Sequence, residues 1–337
     1  MNWFMITLGL ALSVCNSFGE VYVVEIEKPE FDRWMYPYNA SVGTRENAPT
    51  FSSIGGGYEE FDDRDAQILL SFATLDFIDP NLGKNKYDII EATMEITLSN
   101  SDLIFDATSD AWQTYLLDGG ESDTDLGRPI ELFGAGFRGE FDGWSFGESG
   151  PFPFGAVRRE RNVYPLSFTP GLGPIDASNN VLDQFDSTPF SVGIAVGIEA
   201  GQPMPSETVM RFSIDVNDPD IQCYLRQEMN QGLASFVLSS LHEAQQPGFR
   251  GFLQPAFHMK ESWLVYYEIA EAAQLYLTVE VLDNSIPEDL DGNGVVNVED
   301  LLIALSDWGV CTCCRSDLDG NGEININDLL AIIGAWG

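Results

Sequence analysis

Asp289-Leu-Asp-Gly-Asn-Gly-Val-Val-Asn-Val-Glu-Asp300 is followed 28 residues later by Asp317-Leu-Asp-Gly-Asn-Gly-Glu-Ile-Asn-Ile-Asn-Asp328. Each copy runs into a short apolar stretch ending in Trp-Gly, Leu301 to Gly309 and Leu329 to Gly337. Oxygen-bearing side chains fall at the first, third, fifth, ninth and twelfth positions, a glycine at the sixth, and the seventh offers a backbone carbonyl. This is the ligand spacing of an EF-hand calcium loop, because a hard cation takes six to eight oxygens and the loop turns sharply at the glycine. The spacing assigns one Ca2+ to Asp289, Asp291, Asn293, the Val295 carbonyl, Asn297 and Asp300. A second Ca2+ falls to Asp317, Asp319, Asn321, the Glu323 carbonyl, Asn325 and Asp328. Val296 and Ile324, at the eighth positions, are expected to join the loops through a short β-bridge. Leu301, Leu305 and Trp308 are expected to pack on Leu329, Ile333 and Trp336. The plainer alternative, two Asp/Asn/Gly turns on a solvated face, leaves the repetition in register unexplained.

The twelfth position carries Asp300 and Asp328 where an EF-hand usually has a bidentate Glu. That aspartate, the shortened entering segment and the Asp-Leu-Leu start of each helix resemble the type I dockerin repeat over residues 287–337. The resemblance implies two calcium loop–helix units packed with pseudo-twofold symmetry. It also implies a role in docking secreted bacterial enzymes onto cohesin modules. Val298-Glu299 and Ile326-Asn327 stand where cohesin-binding dockerins often have a Ser-Thr pair, and both helices stop early, at Trp-Gly. The partner implied is therefore a cohesin-like or other cell-surface protein, with that recognition pair replaced.

The other end of the chain is apolar. Residues 1–19 hold no charged side chain and close on Ser17-Phe18-Gly19, a small-x-small pattern with Glu20 next. The apolar part is shorter than the ~20 residues a membrane span needs, so it reads as a secretory signal peptide cleaved near Gly19. A lipoprotein is the alternative, but Val14 before Cys15 is bulky for a lipobox. No other stretch is long and apolar enough to cross a bilayer, and the expected location is extracellular or at the cell surface. The net charge of −37 repels phosphate backbones and anionic membranes, which excludes nucleic acid as a partner. With 12% aromatic residues the chain is no disordered acidic tail. Cys223, Cys311, Cys313 and Cys314 follow the leader; an even count in an exported chain predicts disulfides, with at least one inside the 311–314 trio. Zinc is the alternative there, without paired C-x-x-C spacing.

Between the ends, short strands dominate. Val21–Glu27, Ala66–Phe72, Ala92–Leu98, Pro129–Gly134, Phe190–Val196, Met210–Val216, Ala234–Ser239 and Leu275–Val281 are apolar or alternate with period two. Gly/Pro/Asn/Asp turns separate them. One helix is expected from Asp218 to Gly232, opened by Asp-Pro, closed by glycine, with Ile221, Leu225 and Met229 on one face. This pattern predicts an antiparallel β-sandwich. Arg64–Phe72, Tyr87–Leu98, Phe212–Val216 and Phe236–Glu243 also resemble the jelly-roll domains of secreted bacterial proteins of the DNRLRE and carbohydrate-binding-module type. That resemblance implies a jelly roll interrupted by an insertion at roughly 105–190.

Candidate chemistry in this region is thin. Gly143-Trp-Ser145-Phe-Gly147 matches G-x-S-x-G, yet Gly-Glu-Ser-Gly-Pro follows where a nucleophile elbow needs a helix. His242-Glu243 begins like a zincin helix, but Gln246 stands where the second histidine would. Only His242 and His258 exist, so a three-histidine metal site is excluded. Trp34, Tyr36, Tyr38, Trp112, Tyr115 and Trp144 offer sugar-stacking rings or, more plainly, packing. Asp118 to Asp125 reads as an extra calcium loop or a solvated turn. Catalytic residues stay unknown, since 53 acids give no unique glycosidase pair.

The expected layout is a leader (1–19), an antiparallel jelly-roll β-sandwich (20–283) and a small α-helical EF-hand pair (284–337). The expected function is non-catalytic, with the sandwich binding a polysaccharide or surface partner and the tail serving extracellular assembly. The rival is a polysaccharide-degrading enzyme, a glycoside hydrolase or lyase carrying the same tail.

Overall fold

Alternation is visible in the longest strand, Tyr87–Thr97, where Ala92, Met94 and Ile96 are buried and Thr93 and Glu95 face outward, half-buried. The computed structural model describes residues 19–38, 45–54, 60–116, 118–170, 173–244, 254–282, 286–311, 314–319 and 321–337. The expected leader, apart from Gly19, and Cys313 lie outside the described residues. The chain divides into two compact units, one of residues 21–280 and another that includes residues 281–337.

Among the described residues, the ten longest strands of the larger unit's two main sheets are β1 (Glu20–Ile26), β2 (Phe31–Met35), β3 (Gln67–Ala73), β4 (Tyr87–Thr97), β5 (Ile130–Phe137), β6 (Val163–Thr169), β7 (Gly173–Asp176), β8 (Val209–Ser213), β9 (Leu233–Ser240) and β10 (Gln274–Val281). One sheet runs β1-β10-β4-β8, with Ile194–Ala195 on the edge beside β8. The other runs β2-β3-β9-β5-β6-β7, and Ser191–Val192 adds to β5. The registers described between these strands are antiparallel, as in Phe236↔Leu70 and Phe212↔Met94; the isolated bridge Ser52↔Glu243 is parallel. Setting aside the edge strands β2 and β7 and numbering the remaining eight in chain order, the two sheets read 1-8-3-6 and 2-7-4-5. Two interleaved Greek keys of this kind define a jelly roll. The fold is a mainly β, antiparallel jelly-roll sandwich.

Strand β9 is buried along its whole length and β3 nearly so, because their sheet is covered on both faces. Met35, Leu69 and Val237 point to a layer closed by Phe146 and Val163. A helix, α1 (Pro219–Gln231), packs on β9 and β4. Asp218 caps it by accepting from the Asp220 and Ile221 amides, and Gly232 ends it with φ 76°. Ile221, Leu225 and Met229 are its buried face, as the sequence periodicity predicts. Tyr224 ties it to the sheet, its hydroxyl donating to the Ser235 carbonyl at 2.5 Å and accepting from the Ala135 amide at 2.9 Å.

Two expectations change. Phe190–Val196 is not one strand; Ser191–Val192 and Ile194–Ala195 join opposite sheets, and Gly193 between them lies where a Cβ would meet the Phe212 ring at 2.7 Å. The stretch 105–190 is no insertion, since it holds β5 and β6, two of the eight jelly-roll strands. Strand β6 escapes the sequence pattern because Pro165 sits inside it, opposite Ala135. As expected, no nucleophile-elbow helix follows Ser145; the stretch holds one turn, Gly143–Phe146, closed by a capping box between Asp142 and Ser145 and ended by Gly147 at φ 45°.

The tail has two helices, α2 (Val298–Ser306) and α3 (Ile326–Gly334), and two short strands, β11 (Gly309–Val310) and β12 (Glu323–Ile324). Leu290, Val296, Ala304, Ile324, Leu329 and Ile332 form its core, with Leu301 and Leu318 against it. Cys311 and Cys314 are joined in a disulfide within this unit. Val296 and Ile324 do not bridge each other. Ile324 pairs with Gly309, and the Val296 carbonyl accepts from Gly337. Of the expected inter-helix face only Leu301 and Leu329 turn inward; Leu305, Trp308, Ile333 and Trp336 are 45–54% exposed. Both helices are apolar on more than one side, and the small Ala304 lets the buried side close.

Candidate metal centre

Each loop of the tail is closed by its own amides. In the first, Asp289 accepts from the Asn293 amide at 3.1 Å and the Gly294 amide at 2.7 Å. Asp300 takes the Leu290 and Asp291 amides on one oxygen, at 2.7 and 3.1 Å, and the Asn297 amide on the other at 2.8 Å. Asn293 accepts from Val295, and Asn297 caps α2 by accepting from Glu299. The second loop repeats this scheme 28 positions on. Asp317 takes Asn321 and Gly322, Asp328 takes Leu318, Asp319 and Asn325, Asn321 takes Glu323, and Asn325 takes Asn327.

The carboxylates at positions one, three and twelve converge. Oxygens of Asp289, Asp291 and Asp300 lie within 4.8 Å of one another, and so do those of Asp317, Asp319 and Asp328. In each loop the first and twelfth residues are buried and the third is exposed, so each cluster opens to water on one side. Burial pushes the Asp289 carboxyl up, against its bond from Gly294. At Asp328 burial pushes the same way, but amide bonds from Asn325, Leu318 and Asp319 outweigh it and hold the group below the usual range. Residues 286–337 carry ten acids and a single arginine, Arg315. Three like charges at this separation repel by roughly 3–4 kcal/mol per pair at an effective dielectric near 20, before solvent screening. All the donors are oxygen. The two clusters fit a hard metal ion.

The geometry brings those six aspartates together; the other predicted ligands sit beside them in different roles. Asn293 and Asn321 turn their side-chain oxygens onto amides two residues on. The Val295 and Glu323 carbonyls accept from the Asn297 and Asn325 side-chain amides at 3.2 and 3.3 Å.

Two other acidic groups lie in the jelly roll. Asp32, Glu148 and Glu261 surround Lys260, whose Nζ donates to Glu148 and lies 3.8 Å from Asp32 and 3.9 Å from Glu261. Burial pushes the Asp32 carboxyl up to about 8. The other group, Asp106, Asp110 and Asp125, takes only its last member from the acidic stretch 118–125. Asp123 of that stretch instead pairs with Arg128 at 2.8 Å.

The remaining candidates are structural. Ser145 donates to Asp142 at 2.7 Å as part of its cap. His242 is buried, and desolvation holds its imidazole down to about 3. His258 is buried between Glu207, at 3.1 Å, and Ser262. Of the aromatic candidates, Trp34 and Tyr115 are buried, while Tyr38 and Trp144 keep an exposed face. Sequence reasoning missed Trp263, Tyr266 and Tyr267, which are 52–79% exposed around the short helix Trp263–Tyr266. It also missed a groove of about 690 Å³ on the outer face of the first sheet, lined by Glu25, Glu91, Glu95, Arg211, Tyr276 and Thr278 among others. Alternate residues of β1, β4, β8 and β10 supply it, a grouping that only the sheet order reveals.

No protein-family model matches this chain, and no curated protein matches it. Among solved structures, the unassembled VP1 pentamer of Washington University polyomavirus aligns with 10% identity and a TM-score of 0.20, over 82% of this chain and 96% of that one. A likeness at that score carries no inference. No helix among the described residues is long and apolar enough to cross a membrane.

Proposed function

We propose that this chain is an exported calcium-binding protein, a polysaccharide-binding jelly roll followed by a dockerin-like module that folds on two Ca2+ ions and docks onto an extracellular partner. The observation that carries this reading is the duplicated carboxylate triad, each triad set in the same cage of amides. Oxygen-only donors in flexible loops suit Ca2+ over softer metals. Each ion would be held by the three carboxylates, with Asn293 and the Val295 carbonyl, or Asn321 and the Glu323 carbonyl, turning inward to complete the shell. Asn297 and Asn325 stay beside it as helix caps. A disulfide at Cys311–Cys314 accords with an oxidising compartment.

Docking is supported by what the helices leave uncovered. Val298, Leu302, Leu305 and Trp308 on one repeat, and Ile326, Leu330, Ile333 and Trp336 on the other, are 45–58% exposed. Two equivalent apolar stripes of this kind mark a protein-interaction face. Leu302→Asp with Leu330→Asp is expected to abolish capture of a cohesin-like partner while leaving calcium-induced helicity intact. Unchanged capture counts against the docking face.

Binding is favoured over hydrolysis because a basic side chain occupies both the groove and the Asp32 cluster. Glu95 in the groove is tied to Arg211 at 2.6 Å, and the Asp32 cluster to Lys260. A polysaccharide panel tests this reading. Arg211→Ala and Tyr276→Ala are expected to weaken retention at least tenfold, and undiminished retention counts against the groove. Release of reducing sugar from the same panel favours the degrading enzyme.

A further inference from the structure

Asp106 carries a carboxylate oxygen, Oδ2, that is shielded from solvent and has no hydrogen-bond partner. The residue is 4% exposed. Its other oxygen is satisfied by the Thr108 amide at 2.9 Å and the Thr108 hydroxyl at 3.1 Å. A buried carboxylate oxygen left bare costs several kcal/mol in general, and native proteins satisfy such atoms with a donor, a water or an ion. The neighbours of Asp106 include further acids. Ligand atoms of Asp106, Asp110 and Asp125 lie within 4.8 Å of one another.

The surroundings determine what can fill the gap. Arg128 donates to Asp110 at 2.7 Å and to Asp123 at 2.8 Å, and Tyr115 donates to the same Asp110 oxygen at 3.0 Å. Thr108 spans the group, its one hydroxyl hydrogen shared between Asp125 at 2.8 Å and Asp106 at 3.1 Å. These contacts take Oδ2 of Asp110 and Oδ2 of Asp125. Four aspartates against one arginine leave a local charge of −3, so one divalent ion reduces it to −1. The two segments are also built to meet. Gly127 has φ +110°, and a Cβ there would lie 2.6 Å from the Ile104 carbonyl and 3.1 Å from Asp106 Cβ. Only glycine lets the chain after Asp125 close onto the loop that carries Asp106.

We propose that Asp106, Asp110 and Asp125 form a third calcium site, outside the tail, that staples residues 118–128 to the loop 105–110. It differs from the Asp32 cluster, where Lys260 already supplies the cation. Each aspartate contributes one oxygen, with water completing the shell. The site does not depend on the tail loops.

The test is the number of calcium ions bound per full chain, measured by equilibrium dialysis on the unaltered protein and on two variants. Asp125 is exposed, so Asp125→Asn leaves the fold in place; Asp106→Asn removes the buried ligand. Asp125→Asn is expected to bind one ion fewer than the unaltered chain, whatever number the tail contributes. A chain carrying Asp291→Asn with Asp319→Asn is expected to keep one ion, lost again on adding Asp125→Asn. Equal counts for the unaltered chain, Asp125→Asn and Asp106→Asn overturn the site and leave the reading of the tail untouched.

Discussion

Gly337 donates its backbone N–H to the carbonyl of Val296 at 3.4 Å, and Gly309 stands opposite Ile324 in the β11–β12 ladder. Each glycine ends one repeat and meets the eighth residue of the other repeat's loop, which accounts for the recurrence of Trp-Gly. The two acidic loops are thereby coupled through each other's helix ends. Asp328→Asn, which touches only the second loop, is expected to weaken calcium binding at the first by roughly fivefold or more, the usual lower range of such couplings. Calorimetric titration of the variant against the unaltered chain measures it, and an unchanged affinity at the first loop refutes the coupling.

Two glycines of the tail should respond with opposite signs. Gly309 has φ 118° with open space around it, so its constraint is conformational, and Gly309→Ala is expected to destabilise the calcium-loaded tail by about 1–3 kcal/mol. Gly334 lies in α3, also in open space, and Gly334→Ala is expected to stabilise by about 0.5–1 kcal/mol. Denaturant unfolding in saturating calcium gives both values. Equal effects from the two substitutions contradict the backbone assignment.

Arg161 is 1% exposed and pairs with Asp62 and Asp65, each at 2.8 Å. Replacing it with methionine leaves two buried carboxylates without their cation. A loss of about 3–5 kcal/mol from the jelly roll is expected, read by chemical denaturation. The calcium count should not change. A loss under 1 kcal/mol indicates that the two aspartates find other partners.

Glu228 lies buried between α1 and β9, where desolvation raises its carboxyl from 4.5 to about 8 despite an amide bond from Ser235. Between those values the folded chain keeps a proton that the unfolded chain has released. Its contribution is therefore most favourable below about pH 4.5 and declines as pH rises to about 8. His242 acts oppositely at lower pH. Its imidazole, lowered from 6.5 to about 3, costs stability as pH falls between those values. Comparison with Glu228→Gln isolates the carboxyl, and the stability advantage of the unaltered chain over that variant should shrink by a few kcal/mol from pH 5 to pH 8. A pH-independent difference contradicts a protonated Glu228.

What could be read in the sequence follows physical locality. A metal-binding loop needs given residue types at fixed short spacings, so the six aspartates that converge in the tail were all legible. Helix α1 announced itself through Asp218-Pro219 and Gly232, and most strands through alternation. Asp62-Asp-Arg-Asp65 looks like solvated surface, yet it is buried, because Arg161 arrives from 96 residues away. The Asp106 group was hidden for the same reason, being assembled from two segments rather than the single acidic stretch that drew notice. The tail helices posed a different problem. With apolar residues on several sides, their periodicity could not tell the stripe that packs from the stripe that stays exposed.

The central claim is that the tail takes its fold from metal. Helices α2 and α3 are nine residues each, below the ~12–15 at which isolated helices become stable, and the carboxylate triads repel without a cation. The decisive measurement is far-ultraviolet circular dichroism of residues 281–337 in chelator and after calcium addition. The account predicts a largely unfolded spectrum in chelator, helical signal on calcium, and no such gain in Asp291→Ala with Asp319→Ala. Equal helicity in chelator and calcium would contradict it.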